Sequence, residues 1–209
     1  MKNFLNYLTK YNPDIEKIFS KSLKHSLNVL YDISLEKEKK IYLVGGIVRD
    51  IFLGRNSADI DIVLEGDCQE FAACVIPKFP VSKHRFTERF MTYNIFTKTG
   101  TNIDIASFRE ERYEYPGALP SVVPSSIEND YRRRDFSINA MYISFDDKTE
   151  LYDPLNAIND LKNKIIVHYD ANNTDVRNFI ENNLSKNNPS NDPFYNVEYK
   201  VIKNDAPTM

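Results

Sequence analysis

The sequence lacks any long apolar segment. Its 209 residues contain no apolar run of the roughly 18 residues that a membrane-spanning helix needs. Its first residues, MKNFLNYLTKYNPD, have neither the apolar centre nor the small-residue cleavage site of a signal peptide. We therefore expect no membrane association.

Cysteine and histidine are scarce. The two cysteines, Cys68 and Cys74, are placed on one predicted helix at a spacing that suits neither a helical face nor a set of bridges. The three histidines are scattered and form no zinc pattern with the cysteines. These features predict reduced, structural thiols and a cytoplasmic location.

Net charge is also small. The 27 lysines and arginines nearly balance the 30 aspartates and glutamates, which gives a formal charge of −3. This balance argues against a general nucleic-acid coat but allows a local basic site. The apolar and charged fractions, 42% and 27%, are ordinary for a packed globular domain.

The stretch IYLVGGIVRDIFLGRNSADIDIVL, residues 41 to 64, predicts a strand, a tight glycine turn, a short helix and a second strand. Side chains alternate along a strand, so Asp59 and Asp61 should share one face while Ile60 and Ile62 enter the core. Two carboxylates this close favour a cation between them. Mg²⁺ fits, because it takes carboxylate oxygens together with substrate phosphates. For an isolated aspartate pair, a buried or helix-capping role is the commoner explanation.

Two neighbouring features strengthen the magnesium interpretation. Gly45 and Gly46 have no Cβ, so backbone N–H groups at this turn can approach phosphate oxygens. A third acid, Asp104, lies in the alternating segment NIDIAS. If that strand pairs beside Asp59 and Asp61, three carboxylates share one edge of the sheet, and Asp104 can orient or deprotonate an attacking hydroxyl. The alternative is a strand-edge aspartate hydrogen-bonded to the backbone.

A basic cluster follows at residues 132–134, on a predicted short helix that leads directly into apolar core residues. Guanidinium groups match phosphate oxygens bidentately, so these arginines are predicted to fan out from the sheet edge towards a triphosphate. Asp135 and Asn139 are predicted to orient a guanidinium or to accept from a ribose hydroxyl. The alternative is a helix whose arginines pair with Glu128 or Asp130.

The rest of the chain gives simpler predictions. These are an amphipathic helix over residues 13–33, a helix from a cap at Asp67 to about Pro77, β structure over 81–107, a long exposed loop over 108–127 and a hairpin turn at 146–148. From Asp170 the composition turns asparagine-rich. Such a segment buries little apolar surface against its ordering entropy, so it is predicted to dock loosely or to stay disordered.

Four stretches together resemble the catalytic head of the class II tRNA nucleotidyltransferase and bacterial poly(A) polymerase family. They are LVGGIVRDIFLGRNSADIDIV, IDIASFREERYEYPGALPSV, RRRDFSINAMYI and YDPLNAINDLKNKII, which cover about residues 41 to 167 in the family's order. The resemblance implies an α+β protein with a polymerase-β-like nucleotidyltransferase fold. In that fold a mixed β-sheet is flanked by helices, and this chain adds an N-terminal helical extension.

The resemblance also implies roles for individual residues. Asp59 and Asp61 correspond to the aspartates that bind the catalytic metals, expected here as two Mg²⁺ ions, and Asp104 is expected to assist catalysis. The implied nucleotide-binding residues are Gly45, Gly46, Arg49, Asp50, Arg133, Arg134, Asp135 and Asn139. Residues 109–127 correspond roughly to the family's flexible loop that helps switch nucleotide addition.

The sequence departs from the family pattern in two places. The family's Asp-Pro-x-x-Gly-x-x-Asp-Leu hinge has Ala157 where glycine is expected, which predicts a stiffer hinge. Residues 168–209 show no Glu-Asp-x-x-Arg base-reading motif of the family's neck. We therefore predict a helical extension over residues 1–40, a head over 41–168 and an atypical or truncated neck region over 169–209.

The predicted activity is template-independent, Mg²⁺-dependent transfer of a nucleoside monophosphate from CTP or ATP to an RNA 3′-hydroxyl, with release of pyrophosphate. The expected acceptor is tRNA. One alternative is a truncated or inactive head that binds a nucleotide or a partner without catalysis. Another is a head whose neck and body come from a separate subunit. The sequence leaves the choice of nucleotide and of acceptor open.

Overall fold

The structure is a computed structural model that describes residues 3–115, 118–168 and 198–201. Its helices are α1 Phe4–Leu8, α2 Ile15–Ile18, α3 Lys21–Glu36, α4 Gly46–Leu53, α5 Cys68–Val75, α6 Ile127–Asp130 and α7 Ala157–Asn163. Its strands are β1 Ile41–Val44, β2 Asp59–Leu64, β3 Val81–Thr87, β4 Thr92–Thr97, β5 Asn102–Ser107, β6 Arg109–Arg112, β7 Ser121–Pro124, β8 Tyr142–Ser144, β9 Leu151–Tyr152, β10 Ile165–His168 and β11 Glu198–Val201.

A seven-stranded mixed sheet in the order β3-β4-β5-β2-β1-β8-β9 organises the molecule. Its central pair, β2 and β5, is parallel, and the other neighbours in the sheet are antiparallel. Helices flank the sheet, so the predicted α+β class and mixed-sheet fold are confirmed. The parallel pair matters for function because it sets Asp61 of β2 directly beside Asp104 of β5.

One face of the sheet forms the main core. The alternation predicted for β2 is observed, since Ile60 and Ile62 are fully or almost fully buried. The N-terminal helices belong to the same core, where the ring of Phe4 stacks on Phe145 with centroids 4.3 Å apart. The helical extension therefore buries apolar area against the head sheet itself. The domain boundaries at 40 and 168 stay predictions.

Several local predictions are confirmed. Asp67 caps α5, because its side chain accepts from the Gln69 backbone N–H at 2.7 Å. Residues 81–107 contain β3, β4 and β5, so the β structure predicted there is confirmed. Cys68 and Cys74 are free thiols. Among the helices that the structure describes, none has the length and apolar character required to cross a membrane.

The predicted helix over residues 13–33 is wrong in its continuity. The chain forms α2 and α3 with a break at Phe19, whose backbone is extended. Ser20 causes the restart, since its hydroxyl accepts from the Leu23 backbone N–H and caps α3. Apolar residues on both sides of the break enter one core, which is why helical spacing alone did not reveal it.

The predicted loop over residues 108–127 is also wrong. Strands β6 and β7 pair antiparallel, with Glu111 opposite Val122. Charged side chains dominate β6, and Arg109 forms an ion pair with Glu111. No apolar alternation marked this strand, because ion pairs and hydrogen bonds hold much of it. Residues 116 and 117 lie outside the described residues.

Three further results concern the chain beyond Asp130. The arginine segment does not continue the α-helix, because α6 ends at Asp130, Tyr131–Arg133 forms a 3₁₀ helix and Arg134 is extended. The hinge turn takes its left-handed conformation at Asn156, with φ of 57°, and Ala157 begins α7 fully buried; the stiffness predicted for this hinge stays a prediction. Strand β11 pairs in parallel with β10, although the composition predicted no regular structure there. The rest of the predicted loose tail, residues 169–197 and 202–209, lies outside the described residues.

Candidate active site

Three carboxylates line up on the sheet face opposite the main core. In the parallel pairing, Asp61 lies opposite Asp104, and Asp59 lies opposite Asn102. The amide of Asn102 donates to Asp59 Oδ1 at 2.7 Å. The amide of Asn94, on β4, donates to Asp104 Oδ1 at the same distance. The structure thus brings the three predicted acids together and orients two of them through asparagines that the sequence reading did not include.

Electrostatics sets Asp61 apart from an ordinary surface carboxylate. Burial and the neighbouring charge of Asp104 raise the pKa of Asp61 to about 6, with a smaller contribution from Asp59. The guanidinium groups of Arg134 and Arg49 oppose this rise. Burial also raises the pKa of Asp104, against the hydrogen bond from Asn94. Crowded carboxylates of this kind gain stability when a cation approaches.

The donor chemistry of this row fits Mg²⁺, which prefers oxygen ligands. Within the described part of the chain, no group of three or more His, Cys, Asp and Glu side chains is arranged to hold a metal ion. Mg²⁺ is commonly bound by one or two carboxylates, with waters and substrate phosphates completing its octahedron. Asp59 and Asp61 therefore fit an ion that binds together with the substrate. The number of ions stays a prediction.

Gly45 lies against the carboxylates at the end of β1. Its φ of 74° and ψ of −140° are accessible mainly to glycine. A Cβ at this position would lie 3.2 Å from Asp61 Oδ2. The next residue, Gly46, begins α4, so the predicted order of strand, glycine turn and helix is confirmed. The missing side chain leaves the backbone open beside Asp61.

Arg49 joins two predicted site residues. Its Nε and Nη2 atoms donate to Asp50 Oδ1, both at 3.0 Å, and its Nη1 donates to Asn139 Oδ1 at 3.1 Å. Helix α4 is thereby tied to the 3₁₀ turn that carries Asn139. The Arg49 side chain is 30% exposed, so its outer surface stays open to a ligand. Asp50 accepts two hydrogen bonds from Arg49 and so orients its guanidinium group.

The arginine cluster is arranged differently from its prediction. Arg133 Nη2 lies 2.7 Å from Asp130 Oδ1, and Arg134 Nη2 lies 3.0 Å from Asp130 Oδ2. Arg133 also pairs with Glu111 of β6 at 3.2 Å. The alternative, pairing with Asp130, is therefore what the structure contains, and these two arginines do not fan freely from the sheet edge. Arg134 still acts electrostatically on Asp61.

Asp130 is the centre of this cluster and is completely buried. Burial raises its pKa, but Arg134, Arg133 and the hydrogen bonds that it accepts outweigh burial, so its net pKa is lowered. The hydroxyl of Tyr142 donates to Asp130 Oδ2 at 2.8 Å. The sequence reading considered Asp130 only as an alternative partner and missed Tyr142 and Glu111. An acid three and four residues before two arginines was the available signal.

Asp135 is not the partner of the arginines. It is exposed, and its Oδ1 accepts from the backbone N–H of Phe136 at 2.8 Å. The predicted role in orienting a guanidinium therefore belongs to Asp130 and Glu111. A contact between Asp135 and a ribose stays a prediction.

A mixed sheet that presents paired aspartates behind a glycine turn defines the class of polymerase-β-like nucleotidyltransferases. The family model described as the poly A polymerase head domain matches residues 41–167. The chain belongs to this family.

Curated relatives differ in the nucleotides that their names specify. The A-adding tRNA nucleotidyltransferase of Aquifex aeolicus is 42% identical over 130 residues, which are 61% of this chain and 15% of that protein. The CC-adding tRNA nucleotidyltransferase of Deinococcus radiodurans is 31% identical over 158 residues, which are 73% of this chain and 41% of that protein. The chain thus spans well under half the length of these relatives.

Solved structures of CCA-adding enzymes also align with this chain. An apo CCA-adding enzyme aligns with a TM-score of 0.64 and 36% identity, over 79% of this chain and 38% of that one. A CCA-adding enzyme in complex with CTP aligns with a TM-score of 0.60 and 32% identity, over 80% and 37% of the two chains. The Thermotoga maritima CCA-adding enzyme complexed with tRNA aligns with a TM-score of 0.59 and 32% identity, over 79% and 35%.

Proposed function

We propose that this chain is the catalytic head of an RNA nucleotidyltransferase. It transfers a nucleoside monophosphate from CTP or ATP to the 3′-hydroxyl of an RNA, tRNA being the expected acceptor, and releases pyrophosphate. The observation that carries the proposal is the register of β2 and β5, which aligns three carboxylates beside Gly45. Named relatives that act on tRNA, and neighbours complexed with CTP and with tRNA, support the substrate classes.

In this proposal the chain contributes position and charge. Asp59 and Asp61 hold Mg²⁺, which neutralises developing charge on the reacting oxygens. Asp104, oriented by Asn94, accepts the proton of the attacking hydroxyl, and its raised pKa suits a base. The Gly45 turn and Arg49 receive the triphosphate. Because little covalent chemistry falls to the protein, positioning supplies most of the rate.

In this proposal Arg133 and Arg134 act mainly by stabilising the backbone segment beside the site. Their ion pairs with Asp130 fix the segment that leads to Asn139. Arg134 places positive charge near Asp61, which favours the ionised carboxylate there. Asp135 and Asn139 address the ribose and Asp50 orients Arg49.

The rival proposal is a head that binds a nucleotide or a partner subunit without catalysis. The chain aligns with 15% and 41% of the length of two curated relatives, so the activity of the aligned head by itself decides between the two proposals. A separate subunit that supplies neck and body is a related possibility, and co-purification with such a subunit tests it directly.

Incorporation of labelled ATP or CTP onto a tRNA transcript that lacks its 3′ end tests the proposal. We expect Mg²⁺-dependent incorporation by the wild-type chain and its loss in EDTA. In Asp59→Ala the rate should fall at least about a hundredfold, as when other preorganised electrostatic contacts are removed. The fold should persist, because Asp59 is exposed.

Glu65→Gln is the matched control, since Glu65 is an exposed acid one residue beyond β2. Its rate should equal the wild-type rate. Unchanged incorporation by Asp59→Ala contradicts the proposed site. Nucleotide binding by calorimetry without incorporation supports the rival.

A further inference from the structure

Two cross-strand rows extend from the carboxylates to the edge of the sheet. In the first row, Asp61 lies opposite Asp104, which lies opposite Asn94, and Asn94 lies opposite Arg85 of β3. Directly opposed residues place their side chains on the same face of a sheet. Arg85 therefore shares the face of the catalytic carboxylates.

The second row runs parallel to the first. Asp59 lies opposite Asn102, Asn102 opposite Phe96 of β4, and Phe96 opposite Lys83 of β3. Its members alternate with Ile95 and Ile103, whose side chains are buried in the core on the other face. The face that carries the carboxylates thus continues, strand by strand, into an aromatic and basic surface.

The end of this surface is exposed. Phe96 has 37% of its surface accessible, although it belongs to a strand that is paired on both sides. Lys83 and Arg85 are exposed too. In the part of the chain that the structure describes, neither cation forms an ion pair with a carboxylate. The edge therefore presents an aromatic ring and two uncompensated positive charges.

These groups match the chemistry of a single-stranded nucleic acid. Aromatic rings stack on bases of any identity, and lysine and arginine bind the phosphates between them. Phe96 is two strands away from Asp59, which corresponds to roughly 10 Å at the usual strand spacing.

We propose that Phe96, Lys83 and Arg85 form an acceptor platform for the 3′ end of an RNA strand. The terminal base stacks on Phe96, the two cations hold the backbone, and the 3′-hydroxyl is directed towards Asp59 and Asp61. This inference rests on the proposed nucleotidyl transfer and adds where the acceptor lies. Basic residues on an edge strand also discourage edge-to-edge association, and that role alone predicts no effect on RNA.

Fluorescence anisotropy with a labelled tRNA transcript that ends at the discriminator position provides the first test. Phe96→Ala should raise the dissociation constant about tenfold, within the range found for loss of one stacked base. Phe96→Tyr should restore most of the affinity. Leu35→Ala is the control, because Leu35 is a comparably exposed apolar residue on α3. Equal affinity of Phe96→Ala and Leu35→Ala overturns the platform.

A transcript whose terminal nucleotide is abasic makes the test specific to stacking. Against this RNA, Phe96→Ala and the wild type should bind equally, because no terminal base remains to stack. A loss of the same size with both RNAs means that Phe96 contributes something other than terminal stacking, and it overturns that assignment.

Salt dependence tests the cations. Lys83→Ala and Arg85→Ala should each reduce the slope of log affinity against log salt concentration by about one. Lys21→Ala, at an exposed position on α3, should leave the slope unchanged. Unchanged slopes in the two β3 variants overturn the role of the cations and leave edge protection as their function.

Incorporation by the same proteins separates this inference from the proposed function. Phe96→Ala should raise the KM for RNA about tenfold, in line with the lost stacking, and leave the KM for the nucleotide unchanged. A wild-type chain that incorporates, beside a Phe96→Ala variant with unchanged KM for RNA, overturns the platform alone. A wild-type chain that does not incorporate overturns the proposed function and the platform with it.

Discussion

Asp61 and Asp130 are two aspartates largely withdrawn from water, and their surroundings shift their pKa values in opposite directions. Asp61 lies in a row of acids, where burial and Asp104 raise its pKa to about 6. Asp130 is fully buried but contacts Arg133 and Arg134, which outweigh burial and lower its pKa. The region around Asp61 carries excess negative charge, whereas Arg133 and Arg134 neutralise the charge of Asp130.

The difference separates a binding region from a supporting one. Excess negative charge at Asp61 is a cost that a bound cation can relieve, so this region is suited to a cation. The charges around Asp130 are already paired and hydrogen-bonded, so they stabilise the frame behind the site. Arg133 and Arg134, which the sequence suggested as triphosphate ligands, therefore hold the structure together through their ion pairs with Asp130.

The largest expected effect comes from breaking the supporting region. Asp130→Asn should lower the free energy of unfolding by about 4 kcal/mol, because it removes the buried counter-charge of Arg134 and one of the two acids that pair with Arg133. Urea denaturation measures this loss. Glu128→Gln, an exposed change on the same helix, should stay close to the wild type. A loss below about 1 kcal/mol, typical of surface pairs, would mean that Asp130 does not hold this region.

Gly45→Ala should have an intermediate effect on stability and a strong effect on activity. The backbone conformation costs a non-glycine residue about 2 kcal/mol, and the added Cβ would press on Asp61 Oδ2. Gly66→Ala is the matched control, since its φ is also positive, at 106°, but no atom lies within 4 Å of the added Cβ. Both variants should lose stability in urea, whereas only Gly45→Ala should lose incorporation. Equal incorporation by the two variants contradicts the close contact.

Asp61→Asn should have the smallest effect on the free energy of unfolding. It should raise this free energy, whereas Asp130→Asn lowers it. Removing the crowded carboxylate should raise the free energy of unfolding by about 1 kcal/mol in EDTA near neutral pH, after allowance for solvent screening of the pKa shift. Added Mg²⁺ should stabilise the wild type and not the variant, because only the wild type retains both metal carboxylates. Thermal melts with and without the ion measure both effects.

The pH dependence of the free energy of unfolding provides the control for this comparison. A raised pKa means that the folded state binds more protons, so the contribution of Asp61 to stability falls as pH rises from about 4 to about 6. In Asp61→Asn only the smaller decline that the raised pKa of Asp104 causes should remain. The lowered pKa of Asp130 works the other way, since its contribution is present above the ordinary carboxyl pKa of about 3.9 and is lost as pH falls below it. A decline of undiminished size between pH 4 and 6 in Asp61→Asn refutes the assignment.

Local patterns in the sequence predicted the catalytic half of the site. Alternation placed Asp59 and Asp61 on one face with Ile60 buried between them. The glycine pair marked the turn after β1, and the isoleucines around Asp104 marked its strand. These features depend on backbone geometry over a few residues, so the chain encodes them directly.

Those patterns could not predict contacts between residues that are distant in the sequence. Nothing local to Arg133 marked Glu111 as its partner, and the hairpin of β6 and β7 had no apolar alternation to reveal it. The row that links Asp59 to Phe96 and Lys83 exists only through the registers of three strand pairs.

The sequence by itself determined the two metal-binding candidates and the glycine turn, because strand alternation and glycine conformation are properties of adjacent residues; the mixed sheet was implied by the family resemblance. Only the tertiary structure decided which charges neutralise one another and which face outward to a ligand. Those outcomes depend on residues such as Glu111, distant along the chain, that packing and strand register bring within reach of Arg133.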